Sequence, residues 1–519
     1  MAEGQAGLFA GLDRSRIIAA PGYNRWLIPP AALAIHMCIG MAYGFSVFWL
    51  PMTHLIPGAA ACGGGFWGEL TGQNCNWTAP SVTHIFETFI AVLGLSAAAF
   101  GGWVERVGPR RSGVVAALCW GGGLLIGALG VKLHLLWLVF LGAGLIGGIG
   151  QGLGYITPVS TLIRWFPDRR GMATGFAIMG YGGGALVGSP LAVWLMARFA
   201  HGPSPGVAAA FACLGVIYTV FMLGGAFGFR LPSAEHLAGS DAAPGHVHVN
   251  EAWRTPQFWL LWAVLFCNVT AGIAVLAMAS PMLQDVFGAR LLGLRADAAL
   301  DPAQKAAVAA SAAGLVGLIS LFNSLGRLFW ASISDLLGRK ATYAAFFILG
   351  AALYAALPWL GHLGLAFAFI AAVCVILSMY GGGFSTLPAY LADIFGTRFV
   401  GAIHGRVITA WSAAGIVGPA LIAGLRQAQL NAGVAKSHVY DGTLDIMAGL
   451  LIVGLICNLL VRPMAPEKMM RDDPAPKASA TTPMAARGLG LGGVVAWLMV
   501  GIPFAVGLLI ALQKAAKLL

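Results

Sequence analysis

Apolar runs of the length that crosses a bilayer, about 20 residues, alternate along this chain with short polar connections. Six of them centre on residues 26–50, 80–103, 113–131, 136–163, 171–197 and 207–229. A polar stretch from Leu231 to Arg254 follows, and six more runs fall at 256–283, 307–333, 341–360, 364–392, 401–425 and 442–461. A thirteenth occupies 489–512, beyond a segment rich in Pro, Lys and Ala at 463–488. The pattern predicts an all-α integral membrane protein: an N-terminal segment (1–25), an N-terminal six-helix half (26–230), a linker (231–254), a C-terminal six-helix half (255–462), a second linker (463–488) and one extra C-terminal transmembrane helix (489–512). The first 25 residues lack the small-residue cleavage pattern of a secretory signal, so the first run is expected to be a retained helix.

Composition narrows this. With 59% hydrophobic and 9% charged residues and a mean hydropathy of +0.82, a water-soluble chain of this size is excluded. The net charge of +11 would suit nucleic acid, but the basic residues are distributed otherwise. Most fall in alternate connections, with Arg14, Arg16, Arg25; Arg106, Arg110, Arg111; Arg164, Arg169, Arg170; Arg339, Lys340; and Arg462 onward on one face. That bias makes this face and the N-terminus cytoplasmic, in the cell (inner) membrane, and assigns the charge to the lipid bilayer.

A repeat runs through the core. Shifting the chain by 230 residues superposes Pro51 on Pro281, Gly108 on Gly338, Pro158 on Pro388, Gly171 on Gly401, Gly175 on Gly405 and Gly188 on Gly418. One offset that holds across five helix pairs implies a duplicated six-helix unit, with a site near midplane where parallel halves meet. The connections "GWVERVGPRR" and "ASISDLLGRK" match at the same offset, placing Glu105 with Asp335. Glu105, Arg106 and Arg110, with Asp335, Arg339 and Lys340, form compact charge clusters suited to latching helix ends in one state and releasing them in another.

One charge is out of place. Arg327 lies eight residues before Asp335, about 12 Å into its helix at 1.5 Å per residue. Its repeat partner is Ala97, so the charge belongs to one half only. An intramembrane cation costs about 2.5–3.5 kcal/mol on insertion scales and marks an ion or substrate path, unless it pairs with a buried acid such as Glu87. Its planar fork suits a small carboxylate. Tyr43, Tyr155, Tyr181, Tyr380 and Trp411 occur in helices expected to surround it and offer hydrogen-bond donors on rigid walls. Proton coupling is conceivable at His84 and Glu87, three apart on the second helix, or at His36 and His404, although a lone helical histidine is more often a packing residue. Asp393 ends the tenth helix near Arg398, and local pairing accounts for it.

The paired connections resemble those of the major facilitator superfamily. The stretches "NRWLIPPAALAIHMCIGMAYGFSVF", "IRWFPDRRGMATGFAIMGYGGGALVGSP" and "YGGGFSTLPAYLADIFGTRFVGAIHGRVITAWSAAGIVGPAL" resemble the oxalate:formate antiporter family within it. The resemblance implies the major facilitator fold and secondary transport of small carboxylate anions, with a counter-anion or proton. In that family an arginine of the eighth helix binds the substrate carboxylate, and Arg327 matches it. Oxalate-exchanging members add a lysine in the eleventh helix; here no lysine occurs from Phe399 to Arg426, and Trp411 stands at or near that place. A monocarboxylate such as formate, lactate or pyruvate is therefore expected over oxalate, with oxalate:formate exchange as the alternative if Arg406 supplies a second cation.

Other classes fit less well. Glycine clusters such as "GYGGGALVG" lie in apolar helices, which points to helix packing and not to phosphate binding, and no nucleophile and base pair marks an enzyme. A receptor or scaffold would not require a buried arginine on one half. No cofactor is expected, and no Cys/His spacing suggests zinc. Cys62 and Cys75 share the first long outer connection, where a disulfide is expected.

Overall fold

Prolines, glycines and polar caps mark where the apolar runs become helices. The computed structural model describes residues 10–202, 204–233, 245–295, 298, 300–470 and 488–515. Within the expected linkers, 234–244 and 471–487 lie outside the described residues, as does 1–9. The spans are α1 Arg25–Met52, α2 Ala79–Val107, α3 Pro109–Lys132, α4 Leu136–Trp165, α5 Arg170–Phe199 and α6 Val207–Gly228. They continue as α7 Pro256–Leu291, α8 Pro302–Leu337, α9 Arg339–His362, α10 Ala366–Phe395, α11 Val400–Asn431, α12 Asp441–Leu460 and α13 Gly490–Ala515. Among the described residues there is no strand, only isolated bridges, one of which ties Ile18 to Leu231.

Helix starts are encoded locally. Asp301 caps α8 in a capping box with Gln304, and Pro302 occupies the first turn, where its missing N–H costs nothing. The α2–α3 and α8–α9 connections turn on Gly108 and Gly338, at φ 84° and 83°, which a side chain would disfavour. These two glycines are repeat partners, so the duplication extends to the backbone.

The halves meet along two seams built from small residues. On α5, Gly171, Gly175 and Gly182 let α8 approach: a Cβ on Gly175 would stand 3.0 Å from the carbonyl oxygen of Arg327. On α11, Gly401 and Gly405 do the same for α2, and a Cβ on Gly405 would stand 2.3 Å from the Ala97 carbonyl oxygen. The outward faces carry exposed apolar side chains, such as Leu95, Val220, Ile348 and Ile456, as lipid contact requires.

The thirteenth helix is peripheral in burial but not in position. It crosses the α5–α8 seam, with Trp497 donating to the carbonyl of Trp26 on α1 at 3.0 Å. Phe504 rests on Gly183 of α5, and Ala511 lies beside Gly317 of α8.

Candidate site around Arg327

Arg327 is fully buried, at 0% exposure. Gly182 makes room for it: a Cβ there would lie 2.6 Å from its Nε. The guanidinium donates long bonds to Asn323 Oδ1 at 3.3 Å, the Ile178 carbonyl at 3.3 Å and the Tyr43 hydroxyl at 3.4 Å. It lies 5.2 Å from the ring centre of Phe384, 5.7 Å from Tyr43 and 5.9 Å from Tyr181. Among the described residues no carboxylate pairs with it. Glu87, the acid that the sequence offers, instead accepts from His84 at 2.7 Å, and both are exposed.

All five expected aromatic residues gather here. Tyr181 is 5.3 Å from Tyr43 and from Trp411 and 5.4 Å from Tyr155, and Tyr155 is 5.3 Å from Trp411. Tyr380 hydrogen-bonds Tyr43 through the hydroxyls at 3.1 Å, joining α10 to α1 across the halves. Tyr155, Tyr181, Tyr380 and Trp411 are buried, while Tyr43 is half-buried. Phe384 closes the ring, 4.9 Å from Trp411.

Several polar atoms in this cluster have no partner. They are the Tyr155 hydroxyl, the Trp411 indole nitrogen and both ring nitrogens of His404, whose ring is 5.7 Å from that of Tyr155. A buried donor without an acceptor costs about 1–3 kcal/mol, and a set of them near a guanidinium without a carboxylate partner among the described residues could receive an anion. His36 differs: Nδ1 faces the Ala177 carbonyl at 2.6 Å and Nε2 the Tyr155 carbonyl at 3.1 Å, so the ring ties α1 to α5 and α4.

At the end carrying the paired connections, each half holds a helix of the other. Asp335 accepts from the backbone N–H groups of Gly171 and Met172, both at 2.8 Å, at the start of α5. Glu105 accepts from the N–H of Gly401 at 3.0 Å, at the start of α11. The acids are repeat partners, and so are the glycines. Each carboxylate thus meets the positive N-terminus of the opposite half's helix. Arg339 braces Asp335 and Arg164 braces Glu105.

Several of the expected residues bond elsewhere in this structure. Arg106 is exposed, and Arg110 donates to the carbonyls of Gly11, Phe227 and Phe229, holding the N-terminal segment to α6. Lys340 donates to the carbonyls of Leu459 and Val461 at the end of α12. Their long side chains reach unsatisfied helix-end carbonyls and not the latch. Asp393 pairs with Arg170 at 3.0 Å and Arg339 at 3.3 Å, so it joins the seam. Arg406 does not reach Arg327: it donates to the Val249 carbonyl at 2.8 Å and Asn250 Oδ1 at 2.9 Å. At the opposite end, Cys62 and Cys75 form a disulfide, and Cys75 accepts from His134 through its carbonyl.

Asn323, Phe384 and the N–H groups of Gly171, Met172 and Gly401 are absent from the sequence reading as site groups, and Arg164 enters it only as a charge that sets orientation. Only Asn323, a polar residue one turn before Arg327, carried a visible signal.

The chain is similar to known transport proteins in sequence and in fold. The oxalate:formate antiporter of Oxalobacter formigenes is 32% identical over 284 residues, covering 53% of this chain and 60% of that protein. Apicoplast pyruvate carrier 1 of Toxoplasma gondii is 26% identical over 406 residues, covering 67% of this chain and 68% of that one. Among solved structures, a variant of the E. coli fucose:proton symporter superposes with a TM-score of 0.57 at 13% identity, covering 85% of this chain and 100% of that one, a likeness of fold alone. Residues 32–419 match the Major Facilitator Superfamily, and the chain belongs to that family.

Proposed function

We propose that the protein is a secondary transporter of small carboxylate anions, working by alternating access, with a monocarboxylate such as formate, lactate or pyruvate as its preferred cargo. The observation that carries this is the buried Arg327, without an acidic partner among the described residues and ringed by aromatic side chains with unpartnered donors. A carboxylate would take the guanidinium fork and be met by the Tyr155 hydroxyl and Trp411 indole. One cation balances one negative charge; a second carboxylate would stay unpaired at low dielectric, since Arg406 is bound elsewhere. The paired-loop end is placed in the cytoplasm on the positive-inside bias. The latch would keep that end shut, and Tyr43 is the least buried member of the ring, which supports entry from the disulfide end. A counter-anion completes the cycle, because the return of an empty site leaves the guanidinium unpaired.

Oxalate:formate exchange is the second reading, favoured by the similarity to the Oxalobacter protein. Uptake of labelled formate, lactate and pyruvate into proteoliposomes tests the proposal. Arg327→Lys should keep the fold but cut uptake by about thirtyfold or more, the equivalent of about 2 kcal/mol for lost two-point bonding. Transport at the unsubstituted rate refutes the role of the fork. Oxalate displacing a labelled monocarboxylate at far lower concentration than the monocarboxylates themselves refutes the single-charge argument.

A further inference from the structure

At the disulfide end of the C-terminal half, three side chains converge that transport does not use. His362 is the last residue of α9, His438 lies in the short 3₁₀ turn Lys436–His438, and Asp441 opens α12. Asp441 Oδ2 is 2.9 Å from His362 Nε2 and 3.1 Å from His438 Nδ1. The imidazole rings lie 4.2 Å apart between centres, and the three ligand atoms all fall within 4.8 Å of one another. All three positions are reached by solvent, Asp441 the least at 29%. The sequence concealed this because His362 and His438 are far apart along the chain, outside any short ligand spacing.

We propose that His362 Nε2, His438 Nδ1 and Asp441 Oδ2 bind one divalent transition-metal ion of the imidazole-preferring kind, with zinc as its representative. Two imidazoles and a carboxylate are a donor set such ions accept, with the remaining positions filled by water. Bonds of about 2.0–2.1 Å at tetrahedral angles require donors roughly 3.3 Å apart. The two contacts to Asp441 are already near that spacing, and the imidazoles need close only about 1.5 Å at most. The supports are in place. Arg290 donates to the carbonyls of Gly361 and His362 at 2.8 and 3.0 Å, which fixes the end of α9 and occupies the neighbouring cation. A bare helix-capping role for Asp441 would need neither histidine. The bound ion would pin the end of α9 to the start of α12, where the N-terminal half uses the Cys62–Cys75 disulfide on its own outer connection.

The test uses the full chain without a histidine tag, stripped with chelator and titrated with zinc chloride by calorimetry, with metal content per chain measured by mass spectrometry. One ion per chain and a rise in unfolding temperature are expected. His438→Ala and, separately, His362→Gln should each weaken binding by about tenfold or more, while the thermal shift given by a labelled monocarboxylate stays as in the unsubstituted protein. Absence of zinc binding up to millimolar concentration overturns the proposal, and so does unchanged affinity in both folded variants.

Discussion

The two halves repeat each other at the paired-loop end and part company at the centre. Glu105 and Asp335 do the same work on Gly401 and Gly171, each carboxylate accepting backbone N–H groups from the other half. Ten or so ångströms deeper, Ala97 stands where the C-terminal half has Arg327, and Tyr181 where it has Trp411. In the proposed cycle, latching needs two equivalent seams that open together, and duplication preserves it. Holding one small anion needs a single charge with dissimilar walls, so symmetry there would be a defect: two facing cations would repel when the site is empty.

The largest break in this comparison should come at residue 182. Its repeat partner is Ser412, whose hydroxyl donates to the Ile90 carbonyl at 2.6 Å. Gly182→Ala would place a methyl 2.6 Å from Arg327 Nε and displace the guanidinium. Uptake should fall by about tenfold or more with folding retained, as expected for a charge-assisted contact worth about 1.5–3 kcal/mol. Ser412→Ala should lose a single hydrogen bond, about 1 kcal/mol of stability, and keep transport. Equal transport by both variants would show that the centre is as symmetric as the latch.

Next come the latches themselves. Asp335 accepts two N–H groups and Glu105 one, so Asp335→Asn should open the paired-loop end more than Glu105→Gln. The shift should be on the order of fivefold, from about 1 kcal/mol of weakened charged hydrogen bonds. It can be read as the alkylation rate of a cysteine placed at the buried Ser160. Identical rates would make the seams equivalent in strength as well as in pattern.

The smallest effect concerns how the halves begin. Arg25, at the start of α1, pairs with Asp168 at 2.7 Å, whereas its repeat partner Thr255 caps α7 with a neutral hydroxyl. Burial raises the Asp168 carboxyl, but the hydrogen bond and charge of Arg25 outweigh it and hold it below the usual range. A depressed folded value means the pair stabilises above the unfolded carboxylate range, about 3.9, and that this contribution is lost as pH falls through the folded value. The pair is half-exposed, so the contribution is under about 1 kcal/mol. Asp168→Asn should lower the unfolding temperature slightly at neutral pH and not at all in strong acid; Thr255→Ala should lower it equally at both.

Why some of this was legible and some was not follows from the chemistry. Arg327 stood out because a charge inside an apolar helix has no cheap explanation, and the aromatic set followed from helix membership. Phe384 did not, since one more phenylalanine in a membrane chain carries no mark. The acids of the latch were visible while their partners were not, because an N–H group belongs to every residue but proline. The partners of Arg110, Lys340 and Arg406 were illegible for a related reason: a long cation bonds whatever carbonyl lies within reach, and sequence position does not say which.

The course of α13 bears on how the molecule is made. Trp497 bonds a carbonyl 471 residues earlier, and the same helix leans on α5 and α8 from different halves. It leaves the ribosome after both six-helix halves, and the groove it fills exists only after those halves have inserted and closed on each other. Docking of α13 then comes after the meeting of the halves and is a record that it succeeded. A cysteine pair at positions 26 and 497 should cross-link in finished protein and stay reduced in chains stalled before the halves have met.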